Sequence, residues 1–577
     1  MKTKSGSEPS ARASRAAAAP LLGGIDEAMS RMGSMQNSAS LRSLSGSVAA
    51  AGARAKPLAP AARVQDQPLA RLQAGALPDP LAASDDAQST DVSSLTESSH
   101  DERERGRMAS PKGPDVDAVR KGYKRLRDAE AEAPVPHHAW KVRVSQSSLR
   151  TRNPIREVVD QIDLSQANPS KPVISLSLGD PTAHGNLQTH PNATRALIET
   201  IQSGRANGYP PMVGLPCARA AVAKAHSFSA EENCNKKPFV FDARDVVMAN
   251  GCSHALQMCF QALADADCSN ILIPEPGFSL YQTLCDNLGI EARGYRLDPL
   301  NDWEIDLEQL KSMIDENTVA IVYNSPGNPT GCVYSDSHVR ELLAVCEQFQ
   351  LPVIADEIYF NFCFSFGGSD DDERAHTPAW RSIAKLNAAL NCPVPIFCLG
   401  GLSKRFLTPG WCLGWILIQD PHDYASQVRV GLEKVASLIV GPSSIVQTAL
   451  PRILAEVPES WHAATARQIG EHAQVCFDAL QAAPALHPCR PRGGMFMLVG
   501  IDFARLRGIA DDLEFCEALF KEESVLVLPG ECFQAPGYLR LTYTAPVATL
   551  KEAMSRITSF VARREISATL NGKSEPQ

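Results

Sequence analysis

The chain has 577 residues, more than one compact core usually holds, so two or more domains are expected. Hydrophobic residues make up 44% of it, an ordinary share for a globular enzyme, and its net charge of -9 argues against a general nucleic-acid binder. No uninterrupted apolar run approaches the ~20 residues needed to span a bilayer. The 16 cysteines begin at Cys217 and form no CxxC pair, which suits buried thiols in a reducing compartment better than a disulfide framework or a zinc ribbon.

Residues 1–138 are rich in Ala, Ser, Arg, Pro and Gly and almost free of aromatics. Such a segment buries too little apolar surface to offset its ordering entropy, so it is expected to be a disordered extension, as is the tail 569–577. The first sixty residues carry eight Lys/Arg against Glu8, Asp26 and Glu27. This bias suits an organelle transit peptide and a simple basic tail equally, leaving cytoplasm or an organelle such as the mitochondrion as the compartment.

From Trp140 onward, short apolar runs alternate with longer helical stretches. Strands are expected at Val246–Met248, Asn270–Ile273, Val319–Tyr323, Pro352–Ala355, Pro395–Leu399 and Trp415–Ile418. Helical patterns lie between several of them, for example Ser253–Leu263 and Ser337–Gln348. Strands apolar on both faces and alternating with helices predict an α/β domain with a mostly parallel sheet.

Ligands of such sheets sit beyond the carboxyl ends of the strands, so the polar residues there carry the functional signal. After the first strand come Gly251, Cys252 and Ser253, a small-residue turn opening a helix. It offers free N–H groups to a phosphate, although such turns are more often simple helix caps. After the third, Asn324-Ser325-Pro326-Gly327-Asn328-Pro329 holds Asn328 in a rigid turn, where it either bonds a ligand oxygen or shapes its own turn. Asp356 ends the fourth strand, where a buried carboxylate needs a partner such as a protonated heterocycle nitrogen. Glu357 points to the opposite face, and Tyr359, just beyond, can reach the same ligand. After the fifth strand and the pair Gly400-Gly401 comes Lys404, whose amine is made nucleophilic toward an aldehyde if it is desolvated. Each of these residues alone has a bland explanation; their ordered recurrence at strand ends is what points to one site.

The pattern resembles the aspartate aminotransferase superfamily of fold-type-I pyridoxal-phosphate (PLP) enzymes, and within it the tyrosine aminotransferase family. The resemblance covers residues 140–568. It rests also on Asn153-Pro154-Ile155-Arg156, Leu176-Ser177-Leu178-Gly179-Asp180-Pro181-Thr182, Asn207-Gly208-Tyr209, Pro274-Glu275-Pro276-Gly277-Phe278 and Pro409-Gly410-Trp411-Cys412-Leu413-Gly414-Trp415. It implies a catalytic region over 139–568. A large cofactor domain would span about 186–445, and a smaller α+β domain would be built from 139–185 and 446–568.

The resemblance also assigns roles. Lys404 would hold PLP as a Schiff base and shuttle the proton, and Asp356 would pair with the ring nitrogen. Asn328 and Tyr359 would bond the ring oxygen, and Phe278 would stack on the ring. Gly251, Cys252 and Ser253 would hold the phosphate, with Tyr209 reaching it across a homodimer interface. Arg540 would clamp the substrate α-carboxylate, which the backbone at Gly179 would approach. The substrates implied are an aromatic amino acid and a 2-oxo acid, 2-oxoglutarate, in ping-pong order. Neither a membrane nor a nucleic acid is implied as partner. The same Lys, Asp and Arg would also serve a C–S lyase, and a weakly active PLP-fold protein acting through its long tail is the competing reading. One departure stands out: the family usually has a phosphate-pairing arginine eight residues after the lysine, and here that position is Cys412. Arg405 is the nearby cation whose role the sequence leaves open.

Overall fold

The structure is a computed structural model that describes residues 141–229, 238–364 and 382–566. The expected extension 1–138, with its transit-peptide reading, and the tail 569–577 lie outside the described residues. One unit runs from Arg143 to Gln577, and its architecture follows from two sheets.

The larger sheet has eight strands: β1 (Val246–Ala249), β2 (Asn270–Glu275), β3 (Glu291–Asp298), β4 (Glu304–Ile305), β5 (Thr318–Asn324), β6 (Val353–Asp356), β7 (Ile396–Gly401) and β8 (Gly414–Gln419). Their order is β1-β8-β7-β6-β5-β2-β3-β4. The run from β7 through β6, β5 and β2 to β3 is parallel, while β8 is antiparallel to both its neighbours and β4 is antiparallel to β3. All six expected strands are present. The two that hydropathy did not signal, β3 and β4, carry Glu291, Arg293, Arg296 and Glu304 at the sheet edge, where one side faces water.

The strands are apolar on both faces because the sheet is covered on both. Along β5, Ala320 and Val322 enter one core cluster while Ile321 and Tyr323 enter another. Along β6, Val353 and Ala355 point one way and Ile354 the other. This places the carboxyl ends of β5, β6 and β7, and with them Asn324, Asp356 and Gly401, side by side along one edge. Two helices also bear on the site: α1 (Cys252–Leu263), directly after β1, and α2 (Leu280–Leu288), after β2.

A second, four-stranded antiparallel sheet contains β9 (Leu486–Pro488), β10 (Phe496–Ile501), β11 (Leu528–Pro529) and β12 (Tyr538–Thr542), in the order β9-β10-β12-β11. Ile174–Ser175 pairs in parallel with Val525–Leu526, which ties the amino-terminal part of the unit to this carboxyl-terminal sheet. A core containing Phe515, Leu519, Ile557 and Phe560 backs it. No helix among the described residues is long and apolar enough to cross a membrane. The fifteen described cysteines are free thiols, most of them buried or half-buried.

Candidate active site

β6 delivers Asp356 into the interior, where it is 4% exposed. Burial pushes its carboxyl above the usual range, and hydrogen bonds from Tyr281, the Ile358 N–H and Cys252 oppose that rise. The Tyr281 hydroxyl donates to Oδ2 at 2.8 Å, and the Cys252 thiol lies 3.6 Å from Oδ1. Tyr281 was not foreseen. The available signal was its place three residues after Phe278, one helical turn on, but a buried tyrosine at helical spacing ordinarily reads as core. Glu357 faces away, as alternation requires. It accepts from Ser382 Oγ (2.7 Å) and the Ile383 N–H (2.9 Å) and so caps the helix that follows.

β7 ends at Gly401, and Lys404 follows in a tight turn. Gly400 permits the close approach of β8, since a Cβ there would lie 2.6 Å from Trp415 Nε1. The Lys404 ammonium donates to the carbonyl of Gly179 and lies 5.9 Å from the centre of the Tyr359 ring. Loss of solvent lowers its pKa to about 8, with Asp180 the strongest opposing influence. An amine in that range is partly neutral near physiological pH and hence nucleophilic.

Asn328 is buried in a turn with two cis prolines, Pro326 and Pro329. Its N–H donates to Asn324 Oδ1 at 2.9 Å. Its side-chain oxygen accepts from Arg540 Nη1 at 3.1 Å, so the amide nitrogen is the half it offers a ligand oxygen. Arg540, on β12, is 2% exposed. Nη2 donates to the carbonyl of Ser177 at 2.7 Å, and the guanidinium lies between the rings of Phe496 (4.2 Å) and Phe533 (4.4 Å). Its Nε is buried without a partner. Burial lowers its pKa to about 10, leaving it a cation at neutral pH. An arginine this deep needs an anion, and among the described residues no carboxylate pairs with it.

Gly251 caps α1 at φ 82°, a conformation glycine adopts without strain, and no side chain caps this helix end. Cys252 and the exposed Ser253 begin the first turn, whose N–H groups point outward as an anion cradle. Phe278 stands edge-on to Tyr281, with ring centres 5.8 Å apart. A Cβ on Gly179 would meet only the Phe496 ring, at 3.4 Å. Tyr359 is buried and edge-on to that same ring. Tyr209 lies on the surface, at 88% exposure.

The two residues left open by the sequence are placed as well. Gly414 packs against the α1 turn so closely that a Cβ would lie 2.8 Å from the Cys252 nitrogen. Cys412, two residues before Gly414 in the chain, is exposed, at φ 47°. Arg405 is engaged elsewhere, 3.3 Å from Glu459 and over the Phe360 ring at 4.6 Å.

These residues fit PLP on their own chemistry. An uncapped helix end suits its phosphate, the buried Asp356 carboxylate suits a protonated ring nitrogen, Asn328 and Tyr359 suit the ring oxygen, and the Lys404 amine suits the aldehyde. The family Aminotransferase class I and II matches residues 171–557. Tyrosine aminotransferase of Mus musculus is 43% identical over 73% of this chain and 87% of its own length. The Homo sapiens enzyme of the same name is 41% identical over the same shares. The crystal structure of tyrosine aminotransferase from Leishmania infantum superposes with a TM-score of 0.66 at 32% identity, covering 74% of this chain and all of that one. Fold and site thus define a PLP-dependent aminotransferase of fold type I. Within that class the chain belongs to the tyrosine aminotransferase family.

Proposed function

We propose that the enzyme moves the amino group of an aromatic amino acid, tyrosine, to 2-oxoglutarate by a ping-pong mechanism and works as a homodimer. The catalytic region would be 139–568, with a large domain over about 186–445 and a smaller one from 139–185 and 446–568. The observation that carries substrate binding is Arg540, a buried guanidinium with a free Nε and no carboxylate partner among the described residues. A planar fork of this kind accepts an α-carboxylate through two parallel charge-assisted bonds. The aromatic preference rests on relatives that bear the name tyrosine aminotransferase. The exposed Tyr209 suits delivery of a phosphate ligand to a second copy.

The geometry supports one division of labour. Bound PLP supplies an electron sink for the charge that develops at the substrate α-carbon. Arg540 binds the carboxylate and so fixes the α-carbon relative to Lys404 across the Gly179 backbone. Lys404 Nζ would hold the cofactor through its aldehyde, and its amine, once free, would serve as the base that takes the proton from the substrate α-carbon. Asp356 would keep the proton on the ring nitrogen. Asn328 Nδ2 and the Tyr359 hydroxyl would hold the ring oxygen, Phe278 would pack on the ring, and Gly251, Cys252 and Ser253 would hold the phosphate.

The test is a rate survey of the purified protein with tyrosine, aspartate, alanine and cystine, each with 2-oxoglutarate. Formation of the aromatic 2-oxo acid should lead, with parallel double-reciprocal lines. Preference for aspartate, or release of a thiol without need of an oxo acid, would replace the proposal.

A further inference from the structure

We propose that Tyr281 is a positioning residue for the cofactor: its hydroxyl, assisted by the Cys252 thiol, keeps Asp356 an anion and so secures the proton on the ring nitrogen. The inference rests on the pairing of Asp356 with that nitrogen and goes beyond it.

The argument begins with the solvent that Asp356 has lost. Three donors reach its carboxylate: the Tyr281 hydroxyl at 2.8 Å on Oδ2, and the Ile358 N–H at 3.3 Å and the Cys252 thiol at 3.6 Å on Oδ1. Among the described residues, no Lys, Arg or His forms an ion pair with it. Burial drives the carboxyl toward its neutral form, which would accept no proton's charge from a pyridine ring. The Tyr281 bond is the strongest influence in the other direction. Burial also raises the pKa of Tyr281 and of Cys252, so both keep their protons and remain donors.

A neutral donor is what the task requires. A cationic side chain at 281 would ionise Asp356 equally well but would claim it as its own partner and compete with the ring nitrogen. A phenol stabilises the anion without cancelling its charge. Tyr281 also shares a turn with Phe278, whose carbonyl accepts from the Tyr281 N–H at 3.1 Å. One turn thereby sets both the ring-stacking side chain and the polarity beneath the ring nitrogen. Cys252 plays a double part, opening the phosphate cradle with its backbone and reaching Asp356 with its side chain.

The test compares binding of PLP with that of 1-deaza-pyridoxal phosphate, in which C–H replaces the ring nitrogen, to the apoenzyme. The wild type should prefer PLP. Tyr281→Phe, which keeps the ring and its packing, should cut that preference about tenfold, the scale of one hydrogen bond to a charged group. The 15N shift of bound 15N-labelled PLP should move toward the unprotonated value at a lower pH than in the wild type. Equal weakening of both ligands, or an unchanged preference, would reduce Tyr281 to a packing residue and overturn the proposal. Asp356→Asn separates the layers. Preference lost there but intact in Tyr281→Phe removes only the role of Tyr281; preference intact in both removes the pairing of Asp356 itself.

Discussion

Replacing Cys412 by arginine should tighten PLP binding. The phosphate brings close to two negative charges, and the end of α1 supplies only about half a positive charge against them. Cys412, two residues before the glycine that packs on this turn, brings no cation and turns its thiol back toward the Pro409 carbonyl at 3.6 Å. A guanidinium ~4 Å from the phosphate would gain about 4 kcal/mol at an effective dielectric constant of ~20. Ordering a long side chain costs about 1.5–2 kcal/mol, and exposure to solvent screens part of the remainder. The net gain is about 1–2 kcal/mol, a five- to thirtyfold lower dissociation constant. Backbone strain does not offset it, because Cys412 already occupies φ 47° and arginine would inherit the same conformation. Nor is the space taken by Arg405, which lies against Glu459 and Phe360. The assay is the PLP dissociation constant of both proteins at matched ionic strength, repeated at high salt, where the advantage should shrink. An unchanged or weaker constant for Cys412→Arg would refute the reasoning and mean that the cradle is already neutralised by another route.

Lys404→Ala should abolish turnover, and borohydride reduction of the wild-type holoenzyme followed by peptide mapping should place the cofactor label on Lys404; a label elsewhere sinks the assignment. Because burial lowers Lys404 to about 8, capture of PLP by the apoenzyme should accelerate as pH rises through that value. A rise confined to the free-lysine range would show that the amine is solvated. Arg540→Leu should raise KM for every amino and oxo acid about ten- to a hundredfold, since the α-carboxylate is common to all of them. Unchanged kinetics with tyrosine would remove Arg540 from the site.

The sequence alone determined the order of the strand ends. Each buried strand is a continuous apolar run, and the polar residue that breaks it marks the carboxyl end, so Asn328, Asp356 and Lys404 were legible as neighbours on one edge. Arg540 came from the resemblance alone, because an arginine between Leu539 and Leu541 is also the alternation of an ordinary half-exposed strand. Burial on both faces made these signals strong; its absence hid β3 and β4, whose charged residues at the edge carry no apolar run. What only the tertiary structure decided are contacts between segments far apart in the chain. Tyr281 reaches Asp356 across 75 residues, and the Arg540 guanidinium reaches Asn328 across 212. Arg405 and Cys412 make the same point. Both lie within eight residues of Lys404, yet one turns toward Glu459 and the other back on the Pro409 carbonyl. Side-chain direction in a turn is set by what packs around it, and a linear pattern does not encode that.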